Sequence, residues 1–493
     1  MKSLNQMKSE TVARDIGNTN VAELLINDAG SAHRFGEECP QTPKIALLTP
    51  YTGGNLGDAA IQDAAIANIR LRLPGAQFSG ITLNCRNFLE QHGSSAFPLV
   101  GAGVTFFKMD TEGVIATADL KHHRAYQGRI RNVLRNLPGA RAIKQYLKRS
   151  WSWRKVIQEE IRHSVAGYRF LRTQDLLLVS GGGQLDEEYG GAWGLPFALF
   201  KWAALARLAR IPCAMASVGA GKIALPASRR LISAALRLCC YRSFRETKSR
   251  LIAAKLFPRA VNDPVVPDLA FSLPLDSELH PAARGIRALA RGRDVIALSP
   301  MAYAKPINWP TPDQALHDRY VQQMARLLSC LAQRDYFIVV VCSSLGDDEA
   351  VIPDIVGRLS REAKHSLEGR IHFPKIKTWR ELVATLRETE CVIASRLHGT
   401  ILGFVAQVPA VAISVDPKVD WVMEDLHQSD FLLHIRDFTA EDVLDALDRM
   451  KDVKITAVEQ IASYRQAVLS NSDSRQQYDF LAGLALKHHQ SHH

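Results

Sequence analysis

"CVIASRLHGTILGF" (391–404) sets an apolar run, Cys391 to Ala394, before a polar junction and a second apolar run, Ile401 to Phe404, after it. The first run has the length and continuity of a buried strand, the second those of a buried helix. Between them stand Ser395, Arg396, Leu397, His398 and Gly399. Taking an arginine and a histidine out of water is expensive unless they find partners. Those partners are supplied by the protein itself or by a ligand. At a strand-to-helix junction the free N–H groups of the helix start face the same spot as the junction side chains, which favours an anion. Histidine titrates near neutral pH, so it can donate a proton there, and a bound phosphate would hold it protonated. The competing reading of Arg396 and His398 is a buried structural pair.

Working outward, the same rhythm recurs on both sides. Continuous apolar stretches at 44–49, 77–84, 175–180, 211–218, 294–299, 336–344, 370–375 and 408–415 alternate with helical patterns. Such alternation predicts α/β architecture with parallel sheets covered on both faces. It occurs in two blocks, so the expected fold is two Rossmann-like, doubly wound domains facing a cleft. Their boundaries are read as a weakly ordered leader at 1–42, a first domain at 43–274 and a linker at 275–293. A second domain at 294–440 and C-terminal helices with a polar tail at 441–493 complete the chain. Ligands of such sheets bind outside the carboxyl ends of the strands, which is where the glycine-rich and charged turns fall.

Composition agrees with ordinary globular material. The 493 residues are 47% hydrophobic and 23% charged, enough for two domains. Eight cysteines are scattered without a CxxC pair, which favours a reducing, cytoplasmic setting. The N-terminal stretch lacks a signal-peptide apolar core. The most apolar stretch, "LPFALFKWAALARLA" (195–209), is interrupted by Lys201 and Arg207, so no spanning helix is expected. The tail "KHHQSHH" (487–493) reads as a frayed polar end. Net charge is +11, and residues 121–172 hold 14 Lys/Arg against two Glu. The rest of the chain is therefore nearly neutral, and the charge belongs to one basic helical insertion, about 105–172. Pro138-Gly139 inside it suggests a helical hairpin.

Three glycine loops follow strands. "TGGNLGD" (52–58) offers Gly53, Gly54, Asn55, Gly57 and Asp58; its backbone N–H groups and the next helix suit an anion, or simply make a tight turn. It is neither a Walker A nor a dinucleotide fingerprint. "SGGGQLDEEYGG" (180–191) offers Gly181, Gly182 and Gly183 for close ligand approach. Asp186 and Glu187 there suit sugar hydroxyls, or a solvated loop. "SVGAGK" (217–222) adds Gly219, Gly221 and Lys222. "RSFRETKS" (242–249) places Arg242 and Arg245 ahead of a helix, where an arginine fork can hold a carboxylate or phosphate. Lys418, in "SVDPKVDW" (414–421), follows the strand after the opening stretch and is expected on the same edge as Arg396 and His398. No metal-ligand cluster and no serine- or cysteine-nucleophile signature stands out.

Taken in order, "GGNLGDAAI", "VSGGGQLDE", "SVGAGK", "SFRETKS", "PDLAFSLP" and "ASRLHGTILGFVAQVPAVAISVDPKVD" resemble the polysaccharide pyruvyl transferase family from about 44 to 425. The resemblance implies a GT-B-like fold and transfer of pyruvate from phosphoenolpyruvate to sugar hydroxyls as a ketal, without a cofactor. It implies His398 as the acid and Arg245, Arg396 and the Leu397 backbone as donor-binding groups. Lys418 is expected to support them, and Asp186 or Glu187 to contact the acceptor. Glu246 departs from the aspartate frequent in the family after the first arginine. The expected partners are phosphoenolpyruvate and a sugar, oligosaccharide or lipid-linked glycan in exopolysaccharide or cell-surface glycan assembly. An anionic inner-membrane surface is expected to meet 121–172, through Trp151, Trp153 and the basic excess. A solvated insertion is the plainer reading, and no nucleic-acid motif appears. A GT-B glycosyltransferase using a nucleotide sugar, or a non-catalytic glycan- or membrane-binding relative, are the alternatives.

Overall fold

The structure, a computed structural model, describes residues 42–51, 53–101, 140–188, 190–275, 283, 285–305 and 312–492, with side chains of the first long helix from 156 onward. The expected leader (but for Thr42), the Pro138-Gly139 hairpin and part of the expected linker, 276–282 and 284, lie outside these residues. The chain divides into two compact units, Thr42–Leu269 with Ser470–His493, and Ala270–Leu469.

In the first unit, β1 (Lys44–Leu48) leads to α1 (Leu56–Arg70), β2 (Gln77–Thr82), α2 (Cys85–His92) and β3 (Ala96–Pro98). The long helix α3 (Ala140–Leu171) leads to β4 (Leu176–Ser180), α4 (Leu195–Ala209), β5 (Cys213–Val218), α5 (Pro226–Leu238), β6 (Tyr241–Phe244) and α6 (Thr247–Ala254). The six described strands lie in the order β3-β2-β1-β4-β5-β6, all parallel. In β4 and β5 every residue is buried, in keeping with their predominantly apolar sequences.

The second unit contains α7 (Ile286–Ala290), β7 (Val295–Ser299), α8 (Gln314–Gln333), β8 (Phe337–Val340), α9 (Ile352–Gly357), α10 (Arg361–Leu367) and β9 (Ile371–His372). It continues with α11 (Trp379–Arg387), β10 (Cys391–Ala394), α12 (Leu397–Val405), β11 (Ala410–Ser414), α13 (Pro417–Asp425), β12 (Leu432–His434) and α14 (Ala440–Ser470). Its strands run parallel in the order β12-β11-β10-β7-β8-β9. Each sheet thus reverses its winding at its centre, between β1 and β4 and between β7 and β10. Those reversals are where doubly wound sheets open a crevice at their carboxyl edge.

The last helix, α15 (Ser472–His492), belongs to the first unit. Gln477 Oε1 accepts from Ser243 Oγ and from Tyr241 Oη, and Arg72 bonds Asp479 at 2.5 Å. The tail read as frayed is helical to His492. His488 and His489 meet the buried Asp175 carboxylate at 3.3 and 3.0 Å, and Lys44 N donates to the same group. A buried carboxylate ahead of β4 recruits this end, which polarity alone did not suggest. Between β8 and β9 the chain forms a 3-10 turn, α9 and α10 rather than one continuous helix.

Candidate functional site

The first reversal carries the glycine loops. Asn55 caps α1, its Oδ1 accepting from Gly57 N at 3.0 Å and Asp58 N at 3.3 Å. Gly53 has φ +97°, and a Cβ there would stand 2.7 Å from Asn84 Nδ2, so the turn requires glycine. After β4, Gly182 takes φ +71°, with Asp58 Oδ1 3.6 Å from where its Cβ would be. The loops after β4 and β5 are tied together: Gly219 N donates to Gly182 O at 2.7 Å, Leu185 N to Gly219 O at 3.1 Å and Gly221 N to Leu185 O at 2.8 Å. Sequence places Gly54 and Gly183 within these turns.

Arg245 lies against this cradle. Only 5% exposed, it pairs through Nε with Glu246 at 2.9 Å and through Nη1 with Asp268 at 3.1 Å. Burial opposes its charge, but the two carboxylates outweigh burial and raise its pKa. Its Nη2 makes no hydrogen bond and faces Gly219, 2.8 Å from the position a Cβ would take. A buried guanidinium donor left over beside glycine backbone is a ready contact for an oxygen-bearing ligand. Ser217, at φ +53°, holds the preceding turn: its N–H donates to Ser243 Oγ at 2.6 Å and its hydroxyl reaches Val266 O and Pro267 O. Glu187 accepts from Ala224 N and Leu225 N at the start of α5, and Asp186 accepts from Glu188 N. Burial opposes ionisation of Glu187, yet these bonds and Ser228 hold its pKa below the ordinary value. Arg242 is engaged bidentately by Asp263, and Lys222 is exposed.

At the second reversal, β10 ends at Ala394, and Arg396 caps α12 with no side-chain hydrogen bond to the helix. The first N–H groups of α12, at Leu397 and His398, open onto this edge together with the half-buried His398 ring. Arg396 grips the wholly buried carboxylate of Asp348, Nε to Oδ2 at 2.5 Å and Nη2 to Oδ1 at 2.7 Å. Ala302 N donates to the same carboxylate at 3.1 Å. Burial keeps the Asp348 pKa above the ordinary aspartate value even against Arg396. Gly399 lets α12 approach β7, since a Cβ there would lie 3.1 Å from Ser299 Oγ. Lys418 starts α13 after β11, the strand beside β10, and its Nζ stands 3.5 Å from Asp416. The structure therefore brings Arg396, Leu397, His398 and Lys418 to one edge of one sheet. Asp348 and Asp268 escaped sequence reading, because each lies in a loop 48 and 23 residues from the arginine it holds.

Among the described residues no cluster of His, Cys, Asp and Glu has the arrangement of a metal site, and no helix is long and apolar enough to cross a membrane.

Two parallel, doubly wound units with polar junctions at their winding reversals define a Rossmann-like fold of the GT-B type. The pattern of the polysaccharide pyruvyl transferase family matches residues 55–417, and the chain belongs to that family. It is a transferase of the kind that modifies sugars. Solved structures share the fold at low identity. One is the UDP-GlcNAc 2-epimerase from Neisseria meningitidis bound to UDP-GlcNAc, with a TM-score of 0.50 at 10% identity, covering 92% of this chain and 100% of that one. Another is UDP-glucose: anthocyanidin 3-O-glucosyltransferase in complex with UDP, with a TM-score of 0.51 at 10% identity, covering 91% and 100%. No curated protein matches the chain in sequence.

Proposed function

We propose that the protein transfers pyruvate from phosphoenolpyruvate to two hydroxyls of a glycan acceptor, forming a ketal and releasing phosphate. The supporting observation is the convergence of Arg396, His398 and the α12 N-terminus at the second reversal, in a chain of this family. His398 gives a proton to C3 of the enol, leaving a cationic centre at C2. A sugar hydroxyl bonds to C2 and loses its proton. The C2–O bond to phosphate breaks, and a second hydroxyl bonds to C2, losing its proton to close the ketal. Arg396 and Lys418 hold the donor's anionic groups, assisted by the Leu397 N–H. Arg245, with its remaining Nη2 donor, offers a contact for a ligand oxygen within the first unit. The glycine loops with Asp186 and Glu187 receive the acceptor. We assign this work to exopolysaccharide or cell-surface glycan assembly, in the cytoplasm and peripheral to the inner membrane face.

A second reading, transfer from a nucleotide sugar, draws on the fold shared with proteins whose structures hold UDP or UDP-GlcNAc. The full chain is incubated with acceptor glycans and either phosphoenolpyruvate or nucleotide sugars. Phosphate release and a pyruvate-sized mass gain on the acceptor support the first reading. Nucleoside diphosphate release with nucleotide sugars, and no reaction with phosphoenolpyruvate, supports the second. A thermal shift with neither donor, and no turnover, favours a non-catalytic glycan-binding relative.

A further inference from the structure

Helix α3 packs on α4 by one face only. A Cβ at Gly167 would stand 3.0 Å from the Trp202 ring, and Lys201 meets Glu160 and His163 beneath it. Among the described residues the neighbouring face is left apolar and open. Ile157, Ile161 and Val165 recur every fourth residue, so they form one stripe, and the first two are 54% and 58% exposed. Leu208, near the end of α4, is 67% exposed. All four line one groove of about 640 Å³ between the two helices.

The charge beside this stripe has one dominant sign. Arg162, Arg169, Arg172, Arg207 and Arg210 are exposed within a turn or two of it. Glu160 is answered by Lys201. From Ala140 to Gln158 the helix sequence carries six Lys/Arg and no acid. Aliphatic side chains flanked by arginines suit an interface with an apolar interior and anionic head groups. A second copy would bring like charge against like charge. A nucleic acid would use the arginines but has no place for four aliphatic side chains, and it stacks on aromatic rings instead.

We propose that the α3–α4 edge is a membrane-docking face, with Ile157, Ile161, Val165 and Leu208 entering the head-group boundary of an anionic bilayer and the arginines meeting lipid phosphates. This goes beyond the catalytic reading and does not depend on which donor is used. The full chain is floated with vesicles of phosphatidylcholine alone or with added phosphatidylglycerol, at low and high salt. The expected result is binding to the anionic vesicles only, released by salt. An Ile157→Ser/Ile161→Ser/Leu208→Ser variant, altered only at exposed positions, should keep its melting temperature and bind roughly tenfold or more weakly. Arg162→Ala/Arg207→Ala should weaken the preference for anionic lipid. No flotation of the full chain would overturn the proposal. Undiminished flotation of the triple Ser variant would also overturn it. So would RNA capture unaffected by the aliphatic changes, or a dimer that the triple variant dissociates.

Discussion

Arg396 closes a two-pronged ion pair on Asp348, a carboxylate with no exposed surface, so the guanidinium at the β10–α12 junction is aimed from behind by β8's loop. Planar pairing of this kind fixes orientation as well as charge. Asp348→Asn keeps the shape but loses the charge and one acceptor. It should raise KM for phosphoenolpyruvate about tenfold and cost about 2 kcal/mol, less than a fully buried pair because Arg396 is partly exposed. Burial raises the Asp348 pKa, so falling pH protonates it ahead of ordinary aspartates and releases Arg396. The acid limb of kcat/KM should therefore disappear in the Asn variant. An unchanged KM together with an unchanged acid limb would rule out this positioning role.

His398 is the group that distinguishes turnover from binding. His398→Gln removes the acid while Arg396 and the α12 N–H groups remain. The expected loss is about 10²–10⁴ in kcat, with KM for phosphoenolpyruvate within a few-fold of its original value. Steady-state kinetics with one acceptor decides it, and a kcat within twofold would transfer the proton to another residue.

Most strands legible in the sequence are largely buried and apolar, β1, β4, β5, β7, β8, β10 and β11, and β2 and the outer β9 were legible beside them. The missed strands, β3, β6 and β12, are outer ones. In β6, Arg242 and Ser243 hid a strand, because its side chains answer Asp263 and Gln477 rather than a core. Edge strands are commonly short and polar, and β3 even ends in a proline. The junctions were legible because glycine and charge interrupt apolar runs at strand ends. Their partners were not, since pairing Arg245 with Asp268, or Ser243 with Gln477 across 234 residues, is decided by tertiary packing alone.

Gly219 tests the cradle of the first unit. A Cβ there would meet Arg245 Nη2 at 2.8 Å and Gly182 O at 3.3 Å. The backbone cannot retreat far, because Gly219 N and O are both bonded across the two loops. Gly219→Ala should destabilise by about 1–3 kcal/mol through overpacking and weaken binding of whatever oxygen Arg245 holds. Urea unfolding measures the first effect and ligand titration the second. A neutral substitution would mean that the loops shift freely.

Gly483 is the opposite case. It sits exposed inside α15, and an added Cβ would meet nothing within 4 Å. Only helix propensity and chain entropy act there, so Gly483→Ala should stabilise by about 0.5–1 kcal/mol. The gain appears in a melting curve only if α15 unfolds with the first unit, to which its Gln477 and His489 contacts attach it. A variant with an unchanged midpoint would show that the helix melts on its own first.

His163 sets a pH limit on the fold. Its Nε2–H donates to Pro98 O at 2.8 Å, and its Nδ1 faces the Lys201 ammonium at 3.3 Å, so a second ring proton has no place. Burial first, and Lys201 second, lower its pKa from 6.5 to about 4. The unfolded chain therefore takes up a proton below pH 6.5 that the folded chain refuses until about 4. Stability must fall as pH drops through that window, by up to about 3 kcal/mol. Glu160 acts in the same direction: although burial opposes it, Lys201 depresses its pKa, so its stabilisation too is lost on acidification. His163→Gln keeps a donor and an acceptor but cannot titrate. Unfolding free energy measured from neutrality to about pH 4.5 should decline steeply in the natural chain and with a clearly shallower slope in the variant. Parallel slopes would assign the acid sensitivity to the carboxylates alone.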